Sequence, residues 1–370
     1  MHPAVQPNSS AVSSPWYQSS RRSFPYAGSV NKVPTIKDVA LLAKVHAATA
    51  SRALNPSTRD MVSTRTANRV IEAAKTLGYA PNSAARSLRT RTSSVAGVII
   101  PDLRNPVFPP IVRGIEDGLR EAGYMALLGN TDGDEEREKE LLAAMRGRQT
   151  DGFILATSRR GDPFPAEPGG FPVPTVLVNR RTDANDIPSV TPDNTAGVYA
   201  TVRHLVELGH RRIGHVAGPQ DLSTGWERYR TFLDAMATHG LPVEDRRVTF
   251  STAFTEEAGL VAGLPLLAAD PSITAIVAGN DLIALGCYRA LEQHGLRCPD
   301  DVSVVGFNDM PFLDRQRPRL TSVRIPHYEI GIESARLLLE RIANPTGSAK
   351  RVVLPVELVR RDSTAPPRAN

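Results

Sequence analysis

From Val95 to Val356 short apolar runs alternate with amphipathic stretches of helical period, and this alternation constrains the fold more than any other feature of the 370 residues. Strands are expected at Val95–Ile100, Tyr124–Gly129, Gly152–Ala156, Thr175–Asn179, Arg212–Ala217, Ile273–Ala278, Ser303–Phe307, Thr321–Ile325 and Val352–Val356. Between most of them lie helical patterns: Pro110–Ala122, Glu135–Arg146, Ala196–Leu208, Glu227–His239, Glu256–Ala269, Asp281–His294 and Glu329–Ala343. Strand–helix alternation predicts parallel sheets covered by helices on both faces. A body of about 275 residues is long for one hydrophobic core, so two similar α/β lobes with a cleft between them are expected.

The segment before this body has a different character. Residues 34–79 read as three short helices. Thr35 and Asp38 form a capping box at the start of the first, with Asp in place of the usual Glu or Gln. Ala43-Lys44-Val45 is a short turn into a second helix over about Ala47–Leu54, and the turn-forming run Asn55–Asp60 ends it. Ser63 caps a third helix, whose Val70, Ala73, Ala74 and Leu77 recur at helical spacing, and Gly78 ends it. Residues 1–30 carry too few periodic apolar residues to offset chain entropy and are expected to be disordered. Asn82–Arg89 has helical composition over only about two turns, too short to be stable alone, and a polar, basic linker follows to Ser94.

Charge follows the same division. Asn31–Ser94 holds eleven Lys and Arg against Asp38, Asp60 and Glu72, a balance of +8. Arg21 and Arg22 add +2 and the whole chain carries +5, so the residues after Ser94 carry −5. A basic module on a mildly acidic body fits a polyanion partner for the module, or simply a solvated basic surface. Nothing approaches the roughly 20 consecutive apolar residues of a membrane span, and the N-terminus lacks the apolar core of a secretory signal. A cytoplasmic, nucleoid-associated protein without membrane contact is expected. Cys287 and Cys298 make no metal or redox spacing, and a disulfide between them is not expected in a reducing compartment.

Two helices joined by a tight turn, the second of them basic, suggest a helix-turn-helix. The second helix must enter the major groove, so its outward residues must be small or hydrogen-bonding. Thr49 and Ser51 can bond phosphates, Arg52 can take a guanine edge by two parallel bonds, and Ala47 and Ala48 can touch thymine methyls. Further strings extend the pattern through the body: Gly97–Asp102, Asn105–Phe108, Arg113–Glu116, Asp151–Ile154, Asp193-Asn194, Leu208–Ile213, Asn280-Asp281 and Val305–Asp309. Together with Thr35–Ala40, Thr49–Asn55 and Leu77–Asn82, they resemble the lactose-repressor and purine-repressor family of bacterial transcriptional regulators, in family order from about residue 34 to 361.

The resemblance implies an α/β protein with an all-α helix-turn-helix headpiece and a two-lobed, periplasmic-binding-protein-like body of doubly wound parallel sheets. By it residues 34–80 form the DNA-binding domain, 81–94 a hinge helix and linker, and 95–365 the ligand-binding and dimerisation domain. Double-stranded operator DNA would be met by Thr35, Ala47, Ala48, Thr49, Ser51, Arg52 and Asn55. In the hinge, Asn82 and Ala85 would lie close to the DNA and Leu88 would wedge into the minor groove. Three departures are visible: Lys44 stands where the family usually has Gly, His46 where it has a Ser cap, and the loop after Asn55 carries two extra residues. A positive φ at Lys44 would cost about 1 kcal/mol.

The cleft is the expected place for a small-molecule effector, at the carboxyl ends of parallel strands. Asn280 and Asp281 open a helix straight after a strand. Asp281 serves either as first-turn charge complement or, as the resemblance implies, as a carboxylate accepting ligand protons. Arg228 offers a fork of donors for hydroxyls or a carboxylate. Asn105 and Phe108 would line the first lobe, Phe108 serving equally well as core. Trp226 can stack on a sugar face, and Asn308 and Asp309 can reach the cleft or shape the next loop. Asn179 and Arg180 end another strand and are secondary candidates. No G-x-G-x-x-G, P-loop, G-x-S-x-G or H-E-x-x-H occurs, so no catalytic residue, cofactor or metal is expected. His204, His210 and His215 need not converge. A homodimer on a pseudo-palindromic operator is expected. The rivals are an exported solute receptor and an enzyme on a doubly wound fold.

Overall fold

The computed structural model describes residues 34–80, 92–162, 173–184 and 186–368. They fall into two compact units, 34–80 and 92–368. The hinge residues Asn82, Ala85 and Leu88 lie outside the described residues, as does the N-terminal extension.

The first unit is three helices: α1 (Ile36–Leu42), α2 (Ala47–Leu54) and α3 (Thr64–Leu77). Their apolar faces meet in a small core of Val39, Ala40, Ala43, Ala50, Ala53, Ala67, Val70, Ala73 and Ala74. Alanines at these positions let three short helices approach closely. The Asp38 carboxylate accepts both the backbone N–H and the hydroxyl of Thr35 at 2.7 Å. Ser63 holds the cap position of α3, but its hydroxyl bonds the Thr66 hydroxyl at 3.0 Å instead of a backbone N–H. The segment after Asn55, expected as a turn-rich loop, is a 3₁₀ helix over Pro56–Met61. Its Thr58 hydroxyl and Arg59 Nε donate to the carbonyls of Arg52 and Ala53, satisfying orphan acceptors at the end of α2.

The second unit contains two six-stranded sheets. The first runs β11-β5-β4-β3-β1-β2, with β1 (Val95–Ile100), β2 (Met125–Asn130), β3 (Gly152–Leu155), β4 (Thr175–Val178), β5 (Ser189–Pro192) and β11 (Arg351–Leu354). The second runs β12-β10-β9-β8-β6-β7, with β6 (Ile213–Ala217), β7 (Val248–Phe250), β8 (Ala275–Ala278), β9 (Ser303–Asn308), β10 (Thr321–Arg324) and β12 (Glu357–Val359). Pairing is parallel throughout the first sheet, with Val98 opposite both Leu128 and Ile154. In the second only β12 runs antiparallel, Ser322 facing Val359.

Helices α4 (Phe108–Glu121), α5 (Glu135–Gly147) and α10 (His327–Ala343) pack with the first sheet, and α6 (Asn194–Glu207), α7 (Ser223–Thr238), α8 (Glu256–Ala269) and α9 (Asp281–Gln293) with the second. The chain therefore passes between lobes three times: from β5 to α6, from β10 to α10, and from β11 to β12. Continuous burial of β1, β3, β4, β6, β8 and β9 reflects helices on both faces. Among the described residues no helix is long and apolar enough to cross a membrane, and Cys287 and Cys298 are free thiols.

Candidate functional site

In the headpiece the turn into α2 is closed by Val45 N–H on the Ala40 carbonyl at 2.9 Å and Lys44 N–H on that of Leu41 at 3.2 Å. Lys44 has φ +50°, the left-handed conformation that glycine takes without penalty. His46 caps α2, its Nδ1 accepting from Ala48 N–H at 3.3 Å. Ala48 and Arg52, one turn apart, are exposed. Ala47, Thr49, Ser51 and Asn55 are half-buried at the flanks, and Thr35 is exposed at the start of α1.

In the body, the lobes border a narrow, half-open cavity of about 20 Å³. Its wall is Asn105, Val107, Phe108, Asn179 and Arg180 from the first lobe, and Thr224, Arg228, Phe254, Asn280 and Asn308 from the second. Three helix starts meet there: Val107 and Phe108 open α4, Thr224 lies in the first turn of α7, and Asn280 caps α9 by accepting from Ile283 N–H at 2.9 Å. Arg228 is buried. It donates to Asn194 Oδ1 at 2.9 Å, the Gly279 carbonyl at 2.8 Å and Asn308 Oδ1 at 3.3 Å, and its guanidinium lies 3.6 Å from the Phe307 ring centre. Burial pulls its pKa down to about 9, so it is still charged at neutral pH.

Two buried polar atoms in this wall have no partner among the described residues, Asn179 Oδ1 and Arg180 Nε; Ser158 Oγ, His215 Nε2 and His327 Nε2 are likewise without one but do not line it. Arg180 is 9 % exposed, and burial, reinforced by Arg159, draws its pKa down to about 10. Asn179 (φ +63°) and Asn308 (φ +114°) hold backbone conformations in the left-handed region, which Asn tolerates better than most residues. Buried polar groups are nearly always paired, and these two unpaired atoms lie in the same wall.

Of the seven ligand residues expected from sequence, Asn105, Phe108, Arg228 and Asn280 come together here. Trp226, Asp281 and Asp309 do not line the cavity. Trp226 lies beneath the Arg160 guanidinium, 4.1 Å from its ring centre, in a separate open groove by the β5–α6 crossover. Asp281 is 1 % exposed, and its carboxylate is taken by Met310 N–H at 2.8 Å and the Ser322 hydroxyl. Burial pushes its pKa up to about 7. Asp309 clamps Arg324 at 2.8 Å and Arg361 at 2.7 Å, tying β10 to the C-terminal segment. The secondary candidates Asn179, Arg180 and Asn308 are all in the wall. Thr224 and Phe254 carried no sequence signal, and Val107 appeared only within the Asn105–Phe108 string.

The lobes are latched beside the cavity. Arg159 pairs with Asp221, Arg160 N–H donates to the Asp221 carbonyl at 2.8 Å, Arg181 N–H donates to Ser223 Oγ at 3.0 Å, and Arg181 pairs with Glu227. The three histidines of the second lobe have structural partners. His204 bonds Thr364 Oγ1 at 3.0 Å, His210 bonds Thr274 Oγ1 and the Ala365 carbonyl at 2.9 Å, and His215 bonds the Val277 carbonyl at 2.7 Å.

A helix-turn-helix unit and a two-lobed body with a polar cavity at the helix starts define a DNA-binding regulator with a binding-protein-like body. Residues 35–82 match the model of bacterial regulatory proteins of the lacI family, and residues 202–364 that of the periplasmic binding protein-like domain. The chain is 36 % identical over 330 residues to the ribose operon repressor of Halalkalibacterium halodurans, covering 89 % of this chain and 97 % of that one. It is 36 % identical over 335 residues to the transcriptional repressor CytR of Escherichia coli, covering 89 % and 96 %. Among solved structures it is similar to the lac repressor dimer bound to operator and the anti-inducer ONPF (TM-score 0.80, 26 % identity, 90 % and 100 % covered). It is also similar to a complex of the regulator CelR with cellobiose (TM-score 0.68, 33 % identity, 89 % and 99 % covered). The chain belongs to the lacI family of bacterial regulatory proteins. It is a regulator and not an enzyme, as these relatives are.

Proposed function

We propose that the protein is a cytoplasmic repressor that binds a pseudo-palindromic operator as a homodimer and is controlled by a small metabolite, a sugar or nucleoside-like molecule, held between the lobes. Residues 34–80 bind DNA, 81–94 form the hinge, and 95–365 bind effector and pair the subunits. The observation that carries the reading is the pair of orphaned side chains, Asn179 and Arg180, in the wall of a cavity lined by both lobes. A ligand that pairs those atoms and also touches the second lobe shifts the lobe equilibrium by as much as it binds one arrangement better than another. The cavity, at about 20 Å³, holds a water but not a sugar ring. Effector entry therefore requires the lobes or the wall side chains to move, and that movement reaches the hinge.

On the DNA side, Ala48 and Arg52 form the base-reading row of α2, flanked by Ala47, Thr49, Ser51 and Asn55, with Thr35 at the start of α1. Asn82, Ala85 and Leu88 serve the hinge. The similarity to repressors, and to the lac repressor dimer bound to operator, supports this assignment. Selection from a randomised duplex pool at two salt concentrations tests it. A pseudo-palindrome with a central pyrimidine–purine step should be enriched, and Arg52→Ala and Leu88→Ala should each lose it. Weak, sequence-blind, steeply salt-dependent binding would reduce the headpiece to a phosphate-binding surface.

A further inference from the structure

The cavity wall is electrically one-sided. It contains two buried guanidiniums, Arg180 and Arg228, and no carboxylate; its remaining polar side chains are Asn105, Asn179, Thr224, Asn280 and Asn308. The positive ends of three helices converge on it as well. Among the described residues α4 and α7 have no side-chain cap, their N-cap positions being Val107 and Leu222. Of the acids behind the wall, Asp281 has both oxygens already engaged by Ser322 and Met310, and Glu227 is held by Arg181 and Asn194.

The two arginines differ. Arg228 has neutral acceptors for each of its three nitrogens and a ring beneath it. For the Arg180 side chain the described residues provide no hydrogen bond and no ion pair within 4.0 Å, and its Nε is fully buried without a partner. The acids that act on Arg180, Asp221 and Glu138, do so without an ion pair, being engaged by Arg159 and Thr157, and Arg159 is paired with Glu135 as well. A buried charge without a counter-ion is costly, and an incoming anion removes that cost. A neutral sugar would satisfy hydrogen bonds and leave the charge without a directly paired counter-ion. Backbone N–H groups at a helix start beside a guanidinium are a well-suited receptor for a compact oxyanion.

We propose that the effector is anionic, and that its carboxylate or phosphate rests against the Arg180 guanidinium and the first turn of α7 at Thr224. The proposal rests on the interlobe cavity being the effector site. Sugar acids and sugar phosphates share the required chemistry, and the test separates them.

The full chain is titrated by calorimetry and thermal unfolding with D-ribose, D-ribonate and D-ribose 5-phosphate. D-glucose, D-gluconate, D-glucose 6-phosphate and inorganic phosphate complete the set, all at matched ionic strength. At least one anionic compound should raise the unfolding temperature while its neutral parent does not. Whether the acid or the phosphate acts identifies the source of the oxyanion. Arg180→Gln should weaken that binding at least tenfold and Arg180→Lys less. The ligand-free Arg180→Gln protein should unfold at the same temperature as the parent or above it, because an unpaired buried charge has gone. Equal or tighter binding of a neutral sugar, unchanged binding in Arg180→Gln, or no response to any of the seven compounds would each overturn the proposal. Failure of the regulator reading would show separately, as absence of operator enrichment by the ligand-free protein.

Discussion

Lys44 shows how much one residue can conflict with its own backbone. Helices α3, α4, α6, α7 and α9 are followed by Gly78, Gly123, Gly209, Gly240 and Gly295 at positive φ, each passing the next N–H back to a carbonyl five residues earlier. Helix α1 ends on the same pattern with Lys44 in the glycine's place, φ +50°. Lys44→Gly should therefore stabilise the headpiece by about 1 kcal/mol. Hydrogen exchange would show this as roughly fivefold greater protection of α1 and α2 amides. Lower protection would mean that the lysine side chain contributes more than its backbone costs. The sequence announces this residue because a helix end needs no distant partner to be recognised. The cavity was legible in part for the same reason: Asn105, Phe108 and Asn280 lie between strand ends and helix starts, and only Arg228 sits deeper, in the second turn of α7. The choice between Asn280 and Asp281 was not, since consecutive helical residues point about 100° apart and only the lobe packing decides which faces inward. Thr224 was silent because a small hydroxyl gains meaning only from what surrounds it.

At the scale of elements, both lobes contain one helix pair packed backbone to backbone through glycines. A Cβ on Gly114 would lie 2.1 Å from the Tyr328 carbonyl oxygen, and one on Gly331 2.2 Å from that of Ile111, so α4 and α10 touch where neither has a side chain. In the second lobe Gly286 and Gly259 do the same for α9 and α8, with distances of 2.3 Å to Glu256 O and 2.6 Å to Ile283 O. Gly331→Ala should lower stability by at least the roughly 1–3 kcal/mol of an overpacked core. Gly147→Ala, in the last turn of α5 with nothing within 4 Å of the added carbon, should raise it slightly. Urea denaturation of the two variants checks the contrast, and equal midpoints would refute it. The long periodic elements were readable to within a few residues, α8 to the residue. Strands β5, β7 and β12 were missed, because three or four residues show no period and are held in the sheet by neighbours distant in sequence.

Across the whole molecule, the two sheets end at β2 and β7 on the side away from β11 and β12. These open edges carry exposed apolar side chains: Met125 (68 % exposed) and Leu128 on β2, and Phe250 (49 %) on β7. Unpaired strand edges bearing such residues favour association, which supports pairing of subunits along this flank. Sedimentation should give a dimer. Met125→Glu combined with Phe250→Glu should shift it towards monomer and weaken operator binding by more than tenfold, because two half-sites are no longer held together. A tetramer, or a double variant that still sediments as a dimer, would rule out that flank as the interface.

The triple passage of the chain between lobes also governs how the protein can be born. During synthesis the first sheet has β1 to β5 early, but its outer strand β11 and its covering helix α10 are made only after nearly all of the second lobe. The first lobe therefore leaves the ribosome with an uncovered face and a waiting edge, which is the condition in which chaperones hold a chain and misassembly begins. Neither lobe can be cut out as a continuous piece of sequence, and a nonsense mutation late in the message would leave both lobes unfinished.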